Sequence, residues 1–270
     1  MSQIRVNVMT DKIVIISGAS SGIGAATAKG FARLGARVIL LARNESRLKK
    51  ISEEITRNGG KVDFFSVDVG DYKAVEEIAK EIKNRIGIPD VIINNAGGGK
   101  WRFIEETEYQ EAIDMITVPY LSAFFITKAF LPDLLKRNFG HIVNVTSFAA
   151  VIPFSGATGY IAARKAMIGF HEALTADLHR TNIKTSLVYF AKVESPFWER
   201  NPGSEERLPL AQKWIPVLST EQAAQVIVKG VLKGKKKITA PRMIIIIELL
   251  TYLFPFITRL IMNKTGYKRR

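Results

Sequence analysis

Gly18, Gly22 and Gly24 stand in the stretch Ser17-Gly18-Ala19-Ser20-Ser21-Gly22-Ile23-Gly24, where the apolar run Lys12 to Ser17 ends and a helical pattern from Ile23 to Leu34 begins. Glycines between a strand and a helix permit a tight turn and a close approach of backbone to an anion. The helix N-terminus adds amide donors and the positive end of its dipole. Such a turn can cradle the pyrophosphate of a dinucleotide. Other chemistries are closed off. The 270 residues include no cysteine, which removes disulfides, thiolate nucleophiles and Cys-based zinc or iron–sulfur sites. His141, His171 and His179 are too few and too scattered for a metal cluster, so no metal is expected.

The elements that must position the turn repeat one alternation. Apolar runs of strand length lie at Arg37 to Ala42, Lys61 to Val67, Asp90 to Asn94, His141 to Thr146 and Ile183 to Tyr189. Helical patterns fall between them: Glu45 to Arg57 capped by Asn44, Asp71 to Arg85, a long helix from about Glu105 to Arg137, and Thr158 to His179. Near-continuously apolar strands separated by helices call for a parallel sheet covered on both faces. The sequence thus predicts a single doubly wound α/β domain over residues 1–240, with an appended helical, apolar C-terminal segment at 241–270. The first ten residues lack the succession of a signal peptide, and a cytoplasmic location is expected.

Charge separates these two parts. Of the net +14, residues 229–270 hold +10, with eleven Lys and Arg against Glu248, while the first 228 residues hold only +4. Within the tail, Ile244 to Met262 is nearly long enough to span a bilayer but is interrupted by Glu248, Pro255 and Arg259. Read as one helix, it has a narrow polar stripe through Glu248, Thr251, Pro255, Thr258/Arg259 and Met262 and a wide apolar face. Such a helix is expected to lie on an anionic membrane surface, cover a substrate mouth or pack in a dimer rather than span. Nucleic acid is not expected as a partner, because the bases flank an apolar helix instead of interleaving with stacking aromatics.

The G-x-x-x-G-x-G spacing of the turn, Asn94-Asn95-Ala96-Gly97 after the fourth strand, Ser147 after the fifth and Tyr160 thirteen residues later together resemble the short-chain dehydrogenase/reductase family over about residues 10–235. The resemblance implies a Rossmann domain that binds a nicotinamide dinucleotide and commonly forms homodimers or homotetramers. Gly18, Ser20, Ser21, Gly22, Ile23 and Gly24 would line the pyrophosphate, Asp68 and Val69 the adenine, and Asn95, Ala96 and Gly97 the centre of the cofactor. Val193 and Ser195, in a variant of the family's V-x-T-P, would lie on the nicotinamide side. The second strand ends Ala42-Arg43, with no carboxylate for two ribose hydroxyls and a guanidinium for a 2′-phosphate, which points to NADP(H). Family members often add a basic residue in the glycine turn, where this chain has Ser21.

Reducing a ketone by hydride needs a proton donor at the developing alkoxide and a second hydrogen bond to the oxygen. The resemblance gives these roles to Tyr160 and Ser147. A phenol pKa of about 10 is too high for efficient exchange at neutral pH, so the family places a lysine four residues on. Here the order is Tyr160-Ile161-Ala162-Ala163-Arg164-Lys165. Position i+4 lies about 40° round the helix from Tyr160 and i+5 about 140°, which selects Arg164 as the cation. Arginine keeps the field but releases no proton. Two further departures are Pro119, where the family has an active-site asparagine at a helix kink, and Phe190-Ala191 in place of Pro-Gly.

Trp101, Phe103, Phe148, Val151, Phe154, Phe197 and Trp198 are candidate pocket walls and favour an apolar substrate. The proline-rich segment 194–219 fits a mobile lid. The expected activity is hydride transfer between NADP(H) and a lipophilic ketone or secondary alcohol. The departures keep open a second reading, a non-catalytic NADP(H)-binding sensor or scaffold of the same fold.

Overall fold

In the computed structural model, which describes residues 8–269, the apolar runs pair as β1 (Ile13–Ser17), β2 (Arg37–Ala42), β3 (Lys61–Ser66), β4 (Val91–Asn94), β5 (Gly140–Ser147) and β6 (Ile183–Phe190). Two short strands, β7 (Val193–Glu194) and β8 (Leu218–Ser219), pair with each other, and β9 (Lys237–Ala240) closes the main sheet. The order of that sheet is β3-β2-β1-β4-β5-β6-β9, and every pair is parallel. Strand β9 carries only two apolar residues and begins in a lysine run, which hid it in the sequence. Residues 1–7, on which the reading of the N-terminus mostly rests, lie outside the described residues.

Each crossover is a helix, so both faces are covered. On one face α1 (Gly22–Arg33), α2 (Glu45–Arg57) and α8 (Thr220–Leu232) bury Phe31, Leu48 and Ile227 against Val14, Ile16 and Val143. On the other, α3 (Tyr72–Arg85), α5 (Ser122–Arg137) and α6 (Thr158–Asp177) bury Ile82, Phe130 and Leu174 against Ile15, Ile92 and Ile142. Each fully buried side chain of this size contributes roughly 1.5–3 kcal/mol. The long helix expected from Glu105 starts later, as α4 (Tyr109–Ile116), and passes through a π-helical turn, Thr117–Leu121, into α5. Pro119 lies in that turn because its ring nitrogen donates no hydrogen bond to the preceding turn.

A short helix, α7 (Phe197–Arg200), lies in the segment 194–219. The tail is not one helix. It forms α9 (Met243–Leu253) and α10 (Pro255–Thr265), bent by 114° at Phe254. Proline is favoured in the first turn of a helix and disfavours a helical residue before it, and Phe254 accordingly leaves the helical region at φ −130°, ψ 60°. Nor does Glu248 mark a polar outer stripe. It turns inward, accepting a hydrogen bond from the buried Tyr189 hydroxyl and an ion pair from Lys237 at 2.5 Å.

Below the C-terminal edge of the sheet, hydrogen bonds join four elements. The Asn94 amide donates to Thr127 Oγ1 at 3.1 Å and to Asn144 Oδ1 at 2.8 Å, and Asn144 Nδ2 meets His171 Nδ1 at 3.4 Å. Burial lowers the His171 pKa to about 4. Burial, helped by the charge of Lys184, does the same for His141, which also lies 2.7 Å from Ser186 Oγ. Protonating His171 at Nδ1 would set its N–H against the donating amide of Asn144.

These shifts predict an acid-sensitive fold. Unfolded histidines bind protons near pH 6.5 and the buried pair only near pH 4, so their contribution is complete above about pH 6.5 and falls as pH drops toward 4. Each histidine accounts for up to about 3 kcal/mol by that linkage. Thermal unfolding should show Tm declining from pH 7 to pH 4.5, with a shallower decline in His141→Asn; an unchanged slope would contradict the assignment.

Candidate active site

Parallel pairing brings the C-terminal ends of β1, β2, β4, β5 and β6 to one edge, where they border a cleft of about 970 Å³. At one end of the cleft, the glycine turn has the backbone that only glycine adopts without strain, with φ of +67° at Gly18 and +57° at Gly22. A Cβ on Gly24 would lie 2.4 Å from the Gly18 carbonyl oxygen, so the third glycine sets the distance between α1 and the turn. Beside it, Ser17 Oγ accepts from the backbone N–H of Asn95 and of Ala96, each at 3.0 Å, and Asn95 Nδ2 donates to the Ser17 carbonyl at 3.0 Å. These bonds lock the end of β4 onto the end of β1.

Ser147 ends β5, with its hydroxyl accepting from the Ala149 N–H at 3.2 Å. One residue earlier, Thr146 Oγ1 donates to the Arg164 carbonyl at 2.9 Å, which ties α6 to the same strand end. Tyr160, buried in the first turn of α6, packs beside Trp101 at 5.4 Å and Phe197 at 6.0 Å between ring centroids. The helical angles hold: Arg164 is buried with its guanidinium 5.0 Å from the Tyr160 ring centroid, whereas Lys165 is exposed. Gly97 makes room for it, since a Cβ there would lie 2.5 Å from Arg164 Nη2.

Every residue expected to hold cofactor or perform chemistry borders this cleft: Gly18, Ser20, Ser21, Gly22, Ile23, Gly24, Arg43, Asp68, Val69, Asn95, Ala96, Gly97, Ser147, Tyr160, Arg164, Val193 and Ser195. Of the aromatic wall candidates, Trp101, Phe148, Phe154, Phe197 and Trp198 border it too. Phe103 and Val151 do not. Phe103 instead packs against Arg207, Tyr267 and Arg269, and Val151 packs against the cluster of Phe148, Ile152 and Tyr189. Sequence spacing missed Arg47, Lys192 and Arg200, which also border the cleft, because no pattern links them to the turn.

The residues present fit a dinucleotide. The glycine turn borders the cleft, the first turn of α1 has no acidic residue, and its N-cap Ser21 makes no side-chain capping bond. Two buried donors bordering the cleft, Arg164 Nε and Trp101 Nε1, have no protein partner. The segment 194–219 is pinned by Arg207 to Glu106 at 2.6 and 3.1 Å and by the backbone N–H of Trp101, which donates to Ser204 Oγ at 3.1 Å. The tail completes the wall with Ile247, Leu250, Phe254, Ile257 and Met262.

The chain belongs to the short chain dehydrogenase family, whose model matches residues 12–205. It is similar to mouse 17-beta-hydroxysteroid dehydrogenase 13, 32% identical over 238 residues that cover 86% of this chain and 75% of the relative. An alcohol dehydrogenase from the archaeon Thermococcus sibiricus, solved with 5-hydroxy-NADP, superposes with a TM-score of 0.74 at 27% identity, over 84% of this chain and 95% of that one. A Burkholderia phymatum short chain dehydrogenase/reductase solved with NAD shares the fold at a TM-score of 0.82 and 23% identity, over 97% and 99% of the two chains. A nicotinamide-dependent oxidoreductase role follows from the family.

Gly97→Ala tests the packing of the cation. The added methyl should drive the Arg164 guanidinium off the Tyr160 ring and lower turnover about tenfold or more, equivalent to roughly 1.4 kcal/mol of barrier. Combining it with Arg164→Lys, whose head is slimmer, should recover part of the loss. Equal turnover in wild type and Gly97→Ala would show that the contact is dispensable.

Proposed function

We propose that the protein transfers a hydride between NADP(H) and a lipophilic ketone or secondary alcohol. The observation that carries this reading is the convergence of Ser147, Tyr160 and buried Arg164 on one cleft that joins a glycine cradle to an apolar chamber. NADP(H), when bound, supplies or takes up the hydride. Tyr160 gives the proton to the substrate oxygen in reduction and removes it in oxidation, while the Ser147 hydroxyl orients that oxygen. Arg164 contributes a fixed positive field beside Tyr160 and, keeping its own proton, leaves relay of protons to other groups. NADP(H) is favoured over NAD(H) by Arg43 at the end of β2; its ion pair with Asp68 is loose at 3.8 Å, and both side chains are more than half exposed.

The apolar wall supports a lipophilic substrate, and the hydroxysteroid dehydrogenase relative points the same way. The tail adds a surface consistent with that chemistry. Its inner side walls the chamber, while Tyr252 and Phe256 on the outer side are 84% and 81% exposed, with Ile246, Leu249 and Leu260 also exposed. With basic residues at both ends, this bent pair suits peripheral attachment to an anionic membrane. The absence of a lysine at position 164 favours the second reading, a non-catalytic cofactor-binding protein.

Two measurements decide these points. Wild type should bind NADPH more tightly than NADH and turn over at least one apolar ketone or secondary alcohol in a broad panel, with Arg164→Lys at least as active. Binding of NADPH without turnover by either protein would establish the sensor reading instead. Replacing Tyr252 and Phe256 together by Glu should abolish sedimentation with phosphatidylserine vesicles while leaving the NADPH Kd within about twofold, a change below roughly 0.5 kcal/mol. Undiminished sedimentation would place the attachment elsewhere.

A further inference from the structure

The glycine turn has a serine where related chains often carry a cation, yet the space beside that serine holds one. Arg200, in α7 of the lid and 179 residues away in sequence, donates from Nη2 to Ser21 Oγ at 2.8 Å. Its Nε donates to the Pro196 carbonyl at 3.0 Å, which fixes the plane of the guanidinium. Arg43 and Arg47, at the end of β2 and the start of α2, border the same end of the cleft. Across the whole cleft, Asp68 is the one carboxylate against Arg43, Arg47, Arg164, Lys192 and Arg200 among the described residues. Asp68 is engaged by Arg43. Arg47 and Arg200 have no carboxylate within ion-pair distance among the described residues, although Glu199 adds a weaker favourable field at Arg200. Desolvation, and then the like charge of Arg47, lowers the Arg200 pKa from the ordinary arginine value. Like charges so placed repel each other until an anion enters between them.

We propose that Arg200 supplies from the lid the cation that the glycine turn lacks, and that it binds the 2′-phosphate of NADP(H), so that the phosphorylated cofactor latches the lid onto the turn. This rests on the NADP(H) reading above. A planar guanidinium already oriented by two hydrogen bonds loses little freedom in meeting phosphate oxygens, and its bonds to them are charge-assisted. The Ser21 hydroxyl marks the place where the guanidinium stands rather than competing with it, because a hydroxyl accepts from one N–H and leaves the others available. The consequence is conformational as well as energetic. NADPH would tie together β2, α1 and the segment 194–219, whereas NADH would leave Arg200 bound to Ser21 alone.

The test combines binding and hydrogen exchange. Arg200→Gln should weaken NADPH about tenfold to a hundredfold and NADH less than threefold, the range expected for one charge-assisted phosphate contact. NADPH, and not NADH, should slow exchange across residues 194–219 in wild type, and the difference should vanish in the variant. Ser21→Arg, which puts a guanidinium into the turn itself, should restore the NADPH preference of Arg200→Gln without restoring lid protection. Wild-type preference for NADPH that survives Arg200→Gln unchanged would overturn the role of Arg200 while leaving the cofactor reading in place. Equal weakening of both cofactors would likewise assign Arg200 to another contact. Equal affinity of wild type for NADPH and NADH would overturn both.

Discussion

An all-parallel sheet has one chemical consequence from which the site follows. Every strand must be reached by a crossover, so the C-terminal ends of β1, β2, β4, β5 and β6 face the same edge. That edge collects the glycine turn, Arg43, Asn94 to Gly97, Ser147 and the approach to Val193 without any of them being near in sequence. The buried chain of amides from Thr127 through Asn94 and Asn144 to His171 then fixes β4, β5, α5 and α6 relative to one another. In a low-dielectric interior each such bond is strong and costly to break, which holds these elements together even though Asn94 Oδ1 itself has no protein partner.

Within that frame, one close packing shapes the proposed reaction centre. Gly97 lacks a side chain, Arg164 fills the space it leaves, and Tyr160 lies against the guanidinium. A buried cation with an unpartnered Nε is a costly feature for a protein to keep, and it is the kind of feature that a bound polar ligand would relieve. In the role proposed for it, arginine would keep the electrostatic part of a lysine's contribution and give up its proton chemistry. Pro119 is accommodated by a local change of helix: it is buried in the π-helical turn between α4 and α5.

Much of this was legible in the sequence because the signals were local or had fixed spacing. Glycines at a strand-to-helix turn, a serine at a strand end and a tyrosine thirteen residues on all fall on the cleft, and helical geometry alone distinguished Arg164 from Lys165. What the sequence hid depends on long-range placement. Arg200 meets Ser21 only because the lid folds back over α1. Phe103 and Val151 share the composition of the pocket walls but pack elsewhere, against Arg207 and against the Phe148 and Tyr189 cluster. In the tail, periodicity suggested one helix with Glu248 on a solvent stripe. Proline at 255 bent it, and Tyr189 with Lys237 drew Glu248 inward.

The central claim is that this edge of the sheet performs hydride chemistry with Tyr160 as the proton donor. Transfer of deuterium from NADPH labelled at its transferable position, followed by mass spectrometry of the product from an apolar ketone, tests it most directly. The label should appear on the carbinol carbon with wild type, and Tyr160→Phe should slow its appearance by about a hundredfold or more, within the usual range for a general acid. NADPH binding should be retained. No transfer by wild type to any ketone, or undiminished transfer by Tyr160→Phe, would contradict the account.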